Sequence, residues 1–213
     1  SETELNGIGF YAVGSGTTVE YVQVHRNSDD GVEFFGGTVN AKYLLITGCE
    51  DDSIDWTEGY RGSIQYAIVQ QYTGFGDRGI EADNRGSDNA ATPKSNPKLS
   101  NITLIGGANG DTGLVLRAGT AIQFYNSIVM NWSDAGLDRD DTATTPTSGL
   151  TIASVLFSNT ANFENEADGS DESLISGNNN SLNGLSSDEF SAAQLGTTAN
   201  EHGVSILVNS SSI

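Results

Sequence analysis

Carboxylates recur along this chain at fixed places. Asp29, Asp51, Asp77, Asp111 and Asp134 each stand two residues before a short segment of one form: a small residue, an apolar residue, an outward residue and usually a second apolar one. The outward place in those same segments holds Glu33, Asp55, Glu81, Val115 and Asp138. If the segments stack, the chain carries two adjacent carboxylate ladders along one edge. Two unit charges about 4.8 Å apart repel by roughly 3.5 kcal/mol at an effective dielectric of 20, so such ladders must be solvated, protonated or neutralised. Closely spaced carboxylates suit Ca²⁺, which takes six to eight oxygen ligands. The candidate ligands are Asp29, Asp30, Glu33, Asp51, Asp52, Asp55, Asp77 and Glu81, with the doublets Asp29-Asp30 and Asp51-Asp52 adding density. A second reading stands beside this one for the first ladder. An aspartate in a turn accepts a backbone N–H two residues on, with no metal involved. Turn capping does not account for the second ladder, which falls on a strand face.

Other chemistry is sparser. Arg78 and Arg117 lie near the acids. On a polysaccharide lyase such residues would abstract a proton beside a uronate carboxylate that Ca²⁺ neutralises, although arginine is a poor base at its normal pKa. Strand alternation turns Phe10, Phe34 and Trp56 inward and Tyr11 and Phe35 outward. The outward pair has two readings, a platform for a sugar ring or packing beneath another part of the chain. Tyr60 and Arg61 would line a face beside the acids and complete a candidate ligand-binding set. His25 and His202, the two histidines, have no histidine or cysteine partner at ligand spacing. No Gly-x-Ser-x-Gly elbow occurs, and Gly14-Ser15-Gly16 is followed by no lysine of a phosphate loop.

The elements that place these residues are read from the repeat. The segments begin at residues 7, 31, 53, 79, 113 and 136, in steps of 24, 22, 26, 34 and 23. Each is followed by a second apolar run: Val19–Val24, Ala41–Ile46, Ile64–Val69, Leu99–Ile105, Ile122–Met130 and Leu150–Phe157. Two strands and two turns per period, with no helical pattern, mean a solenoid. The leucine-rich consensus is absent and a propeller blade needs about 40 residues. The predicted fold is therefore all-β, a right-handed parallel β-helix of about six coils over residues 1–158. Residues 84–97, with two prolines, are predicted to bulge as a loop. Residues 159–213 lose the pattern and are predicted to form a polar irregular tail that packs on or caps the solenoid. Residues 1–6 are too few to cover the first coil, so further coils or another chain are expected against that end.

Composition sets outer bounds. Asp and Glu number 28 against 9 Lys and Arg, a net charge of −19 over 213 residues. Such a chain repels phosphate backbones, which excludes nucleic acid as the expected partner. No apolar stretch is long enough to span a bilayer, so no membrane insertion is expected. Cys49 is the single cysteine, which leaves no intrachain disulfide and no cysteine-based zinc site.

Four stretches carry a resemblance. They are ELNGIGFYAVGSGTTVEYVQVHRNSDDGVEFFGGTVNAKYL (4–44), DDSIDWTEGYRG (51–62), DRGIEADN (77–84) and PKSNPKLSNITLIG (93–106). Together they resemble a widespread set of exported β-helix proteins of Gram-negative bacteria, many similar to cell-surface lipoproteins. The match covers about residues 4–160. The resemblance implies a longer parent with a signal peptide and further coils upstream, and an extracellular or outer-surface location. It supplies no catalytic residues. The expected function is a binding or structural module, stabilised by Ca²⁺, that presents an acidic face to a polysaccharide or a cell-surface protein. Two alternatives stay open: a lyase-like enzyme acting on acidic glycans, and an inert spacer within a larger surface protein.

Overall fold

The structure, a computed structural model, describes residues 5–107, 111–140, 144, 149–164, 178 and 180. Among the described residues thirteen strands alternate between two sheets. One sheet stacks β1 (Ile8–Tyr11), β3 (Val32–Phe35), β5 (Ile54–Thr57), β7 (Arg78–Asp83), β9 (Thr112–Arg117), β11 (Ala135–Asp138) and β13 (Phe163–Glu164) in chain order. The other stacks β2 (Thr18–His25), β4 (Asn40–Thr47), β6 (Ser63–Gln70), β8 (Lys98–Ile105), β10 (Ile122–Met130) and β12 (Leu150–Ser158). Every pairing is parallel and joins a strand to its equivalent one coil away. The expected parallel β-solenoid is the fold, and all twelve expected apolar segments are strands.

The core is a set of rows along the axis. In the first sheet Ile8, Val32, Ile54, Ile80, Leu114, Leu137 and Phe163 share one rung position, and Phe10, Phe34, Trp56, Ala82 and Leu116 share the next inward one. Phe10 stacks on Phe34 at 5.2 Å between ring centroids. In the second sheet Val24, Ile46, Val69, Leu104, Val129 and Phe157 form a comparable row. All but the first-coil residues Ile8 and Phe10 and the last-strand Phe163 are buried. In-register stacking removes each side chain from water against its own equivalent, so core burial grows coil by coil.

The second sheet is bent. Tyr21, Tyr43, Tyr66, Asn101, Asn126 and Ser154, each in the middle of its strand, have φ of 58°, 56°, 59°, 58°, 47° and 57°. A left-handed residue costs an ordinary L-side chain about 1–2 kcal/mol. It turns the chain through a corner here, so each coil has three straight limbs rather than the two that the sequence pattern predicts. The alternation of inward and outward residues slips by one place at this corner, and none of the six residues is a glycine that would flag a turn.

Glycine is needed where coils approach. A Cβ on Gly31 would come 2.5 Å from Ile46 and 2.6 Å from the Ser53 carbonyl oxygen. Residues 84–97 leave the sheets as predicted, but one side chain gathers them. Buried Asn84 donates from Nδ2 to the carbonyls of Asn89 (3.1 Å) and Ala91 (3.0 Å), and its Oδ1 accepts the Ser95 N–H at 2.8 Å.

Strand pairing also runs past the expected boundary at residue 158. Leu137 pairs with Phe163 and Asp138 with Glu164. Farther on, the Ser154 N–H reaches the Asn178 carbonyl at 3.1 Å, and Asn180 Oδ1 accepts the Val155 N–H at 2.8 Å while its Nδ2 donates to Ile152 O at 2.9 Å. Coil-like contacts to β12 therefore continue into the stretch that sequence reading assigns to an irregular tail. The rest of 165–213 lies outside the described residues.

Candidate functional site: an acidic edge

The carboxylate ladders exist as stacked rungs. Glu33 pairs in register with Asp55, Asp55 with Glu81 and Glu81 with Val115, and Val115 pairs with Asp138. The aspartates two residues before the segments follow one another through backbone hydrogen bonds. The N–H of Asp77 reaches Asp51 O at 3.3 Å, that of Asp111 reaches Asp77 O at 3.1 Å, and that of Asp134 reaches Asp111 O at 3.1 Å.

Between them runs a third row that begins Asp30, Asp52, Arg78. Its hydrogen bonds run between coils. Asp30 Oδ1 accepts the Asp52 N–H at 3.1 Å, and Asp52 Oδ1 accepts the Arg78 N–H at 2.9 Å. In this row the donor to each carboxylate is the backbone of the next coil, not a residue two places on.

Three rows of carboxylates bring their oxygens together. One ligand oxygen from each of Asp29, Asp30 and Asp51 lies within 4.8 Å of the others, and the same holds for Asp30, Glu33 and Asp55 and for Asp51, Asp52 and Asp77. Seven of the eight candidate ligands thus converge on one edge of coils two to four, and Glu81 lies outside these triads, in register with Asp55.

Crowding shifts the titration of several carboxyls on this edge upward. Burial, then the charges of Glu33, Asp51 and Asp29, push the Asp30 carboxyl to about 7. Burial, then the charges of Glu81 and Asp51, push Asp52 to about 9. Asp55 is held well above the usual carboxylate range by burial and then by Glu33. Burial also raises Glu33 and Asp51, and Asp111 rises to about 7 chiefly through hydrogen bonds with the Asp134 and Asp77 side chains. Glu33 hydrogen-bonds Asp55, and Glu81 hydrogen-bonds Asp52. Two carboxyl groups bond in this way only when one carries a proton.

Arginines close one end of the edge. Arg78 pairs with Asp77, and its guanidinium lies 3.7 Å from Glu81 and 3.9 Å from Asp52. Arg117 reaches Glu81 at 2.5 Å and Asp83 at 2.8 Å. Among the described residues no ion pair reaches Asp29, Asp30, Glu33, Asp51 or Asp55. For both arginines burial favours the neutral form, but the surrounding carboxylates outweigh it and raise the pKa above the ordinary value. Both candidate bases therefore stand in ion pairs with the carboxylates of the edge. Arg139 is buried, with Nη1 donating to Thr144 O at 3.0 Å.

The candidate ligand-binding residues do not form one set. Tyr11 and Phe35 face outward and stack at 4.5 Å with planes 5° apart, Tyr11 being 70% exposed. Tyr60 is a correction. It is fully buried, stacks on Phe34 at 4.4 Å and donates its hydroxyl to Val39 O at 2.9 Å. Arg61 is exposed. Sequence reading missed the exposed tyrosine row at the sheet corner, for which the spacing of Tyr21, Tyr43 and Tyr66 was the available signal.

Parallel strands in register over successive coils define a parallel β-helix, here with an acidic edge at one turn. The chain belongs to the pectate-lyase-like beta helix domain family, whose model matches residues 1–203. Comparison with curated proteins and with solved structures returned no match.

Proposed function

We propose that this solenoid is a binding and structural module whose acidic edge takes Ca²⁺ and presents it to a polysaccharide or protein partner outside the cell. One observation carries the reading: carboxylate oxygens from successive coils converge in threes, and among the described residues no arginine forms an ion pair with the triads of Asp29, Asp30 and Asp51 or of Asp30, Glu33 and Asp55. A cation there would replace both the mutual repulsion and the shared protons. With one converging oxygen from each carboxylate, a triad supplies three of the six to eight that Ca²⁺ takes. The open positions suit water or the hydroxyl and carboxylate oxygens of a glycan. The resemblance to exported, lipoprotein-like β-helix proteins of Gram-negative bacteria supports placement on the outer cell surface, where millimolar Ca²⁺ is available.

A lyase reading is weaker, because both arginines that would serve as its base are ion-paired. The deciding experiment is a thermal melt in EDTA, in millimolar CaCl₂ and in MgCl₂. A ligand at 100 times its dissociation constant that binds only the folded state adds about 2.7 kcal/mol. A Ca²⁺-specific rise of several degrees is the expected result. The same melting curve in all three buffers overturns the cation site and leaves the spacer reading.

A further inference from the structure

The tyrosines at the sheet corner belong to a second feature, on the other sheet from the acidic edge. Tyr21, Tyr43 and Tyr66 occupy one position in three consecutive coils. Their rings stack at 4.6 Å and 5.3 Å, and they are 77%, 40% and 45% exposed. All three hold a left-handed backbone. Asparagine enters that conformation several-fold more readily than most residues, and asparagine fills the same corner in the next two coils, where Asn126 Nδ2 donates to Asn101 Oδ1 at 2.5 Å. The turn alone therefore does not call for tyrosine.

Beside the corner lies a groove of about 450 Å³, within the range of small-molecule sites. Tyr43, Tyr66 and Asn101 form one side of it, and the in-register row Leu45, Ile68 and Thr103 forms the other. On a chain of net charge −19, no residue lining this groove is charged. The lining combines aliphatic and aromatic carbon with hydroxyl and amide groups. Strand backbone on both sides is committed to the ladders between coils, so an extended peptide would find few free backbone partners. Neutral lining excludes an anionic or cationic ligand as the best fit.

We infer that the groove between the Tyr43–Tyr66 stack and the Leu45–Ile68 row is a binding site for a neutral glycan, lying along the solenoid axis across three coils. A pyranose chain has the required chemistry, with apolar C–H groups for Leu45, Ile68 and the edges of the stacked tyrosine rings, and hydroxyls for Asn101, Thr103 and the tyrosine hydroxyls. This site is independent of the cation reading of the acidic edge.

The test is calorimetric titration of the full chain with cellohexaose, xylohexaose, mannohexaose and laminarihexaose, and with hexagalacturonate as the charged comparison. The variants are Tyr43→Asn, Tyr66→Asn and Leu45→Lys. Asparagine keeps the corner, so the first two should melt at or above the wild-type temperature. Leu45 is half-exposed, and its lysine variant charges the groove without entering the core. The expected result is binding of at least one neutral hexaose, weakened about tenfold or more in each variant, with no binding of hexagalacturonate at this site. The inference is overturned if no neutral hexaose binds, if binding survives all three variants, or if sedimentation shows wild-type self-association that Tyr66→Asn abolishes. That last result would make the groove an interface between copies.

Discussion

Asp30 Oδ1 accepts the backbone N–H of Asp52, 22 residues and one coil away, at 3.1 Å. The charge of the acidic edge is thus tied to the hydrogen bonding that holds coil two on coil three. A carboxylate kept for charge alone would not need this bond, and one kept for the bond alone would not need to be an acid.

Asparagine separates the two roles. Asp30→Asn and Asp52→Asn keep an acceptor at Oδ1 and remove a charge from the crowded edge. Both are expected to raise the melting temperature in EDTA at pH 8, Asp30→Asn by removing a charge and Asp52→Asn by removing the need to take up a proton on folding, and to shrink the Ca²⁺-induced rise. Asp30→Ala, which also loses the bond, is expected to fall below Asp30→Asn by about 1–3 kcal/mol in urea unfolding. Equal stability of the two would remove the structural role assigned to Oδ1.

The raised carboxyls set a pH dependence. In each case the folded state binds its proton more tightly than the unfolded chain does. Their stabilisation is complete below the usual aspartate value near 4 and is lost as pH rises through about 7 for Asp30 and about 9 for Asp52. In EDTA the melting temperature should decline from pH 4.5 to pH 9. Millimolar CaCl₂ should flatten the upper part of that decline, because a bound cation takes the place of the protons. A flat profile in EDTA would show that the edge is fully ionised and solvated.

Arg117 holds the closed end of the edge against Glu81 and Asp83. Arg117→Gln leaves Glu81, itself buried, without its nearer cation. The expected loss is about 1–2 kcal/mol, modest because the Arg117 side chain is 35% exposed. The loss should be smaller at pH 5 than at pH 8, since Glu81 then takes up a proton. Urea midpoints at the two pH values measure it.

Core substitutions should follow the stacked rows. Trp56 fills the interior between Phe34 and Ala82 and donates Nε1 to Thr120 Oγ1 at 3.1 Å. Trp56→Ala is expected to cost about 3–5 kcal/mol, and Gly31→Ala about 1–3 kcal/mol through its contacts with Ile46 and Ser53. Chemical denaturation of each variant against wild type gives both numbers.

Much of this architecture was legible in the sequence because stacking turns spacing into position. Glu33, Asp55 and Glu81 could be placed on one ladder by counting from Gly31, Ser53 and Gly79, and the inward run Phe34–Trp56 by alternation. What escaped was conformation without a residue signature. Tyrosine at a left-handed corner reads as an ordinary strand residue, so the bend in the second sheet went unseen. Tyr60 sits outside the strands, where alternation says nothing about direction, and its burial depends on Phe34 from another coil. The pairing of Arg78 and Arg117 with Glu81 likewise depends on side-chain reach across rungs, which spacing along the chain does not encode.

The corner also decides where this chain can change length. It puts two outward residues in succession, Lys42 and Tyr43 before Leu44, and so resets the parity of everything up to the end of the strand. Losing one residue between Tyr43 and Thr47 would exchange the faces of Leu44, Leu45 and Ile46 in that coil alone, while the coils above and below kept theirs. The 84–97 loop adds residues between two strands without touching either parity. Insertions in this solenoid are therefore tolerated at its turns and forbidden within its limbs, which makes the turn anchored by Asn84 the natural place for grafting a new segment.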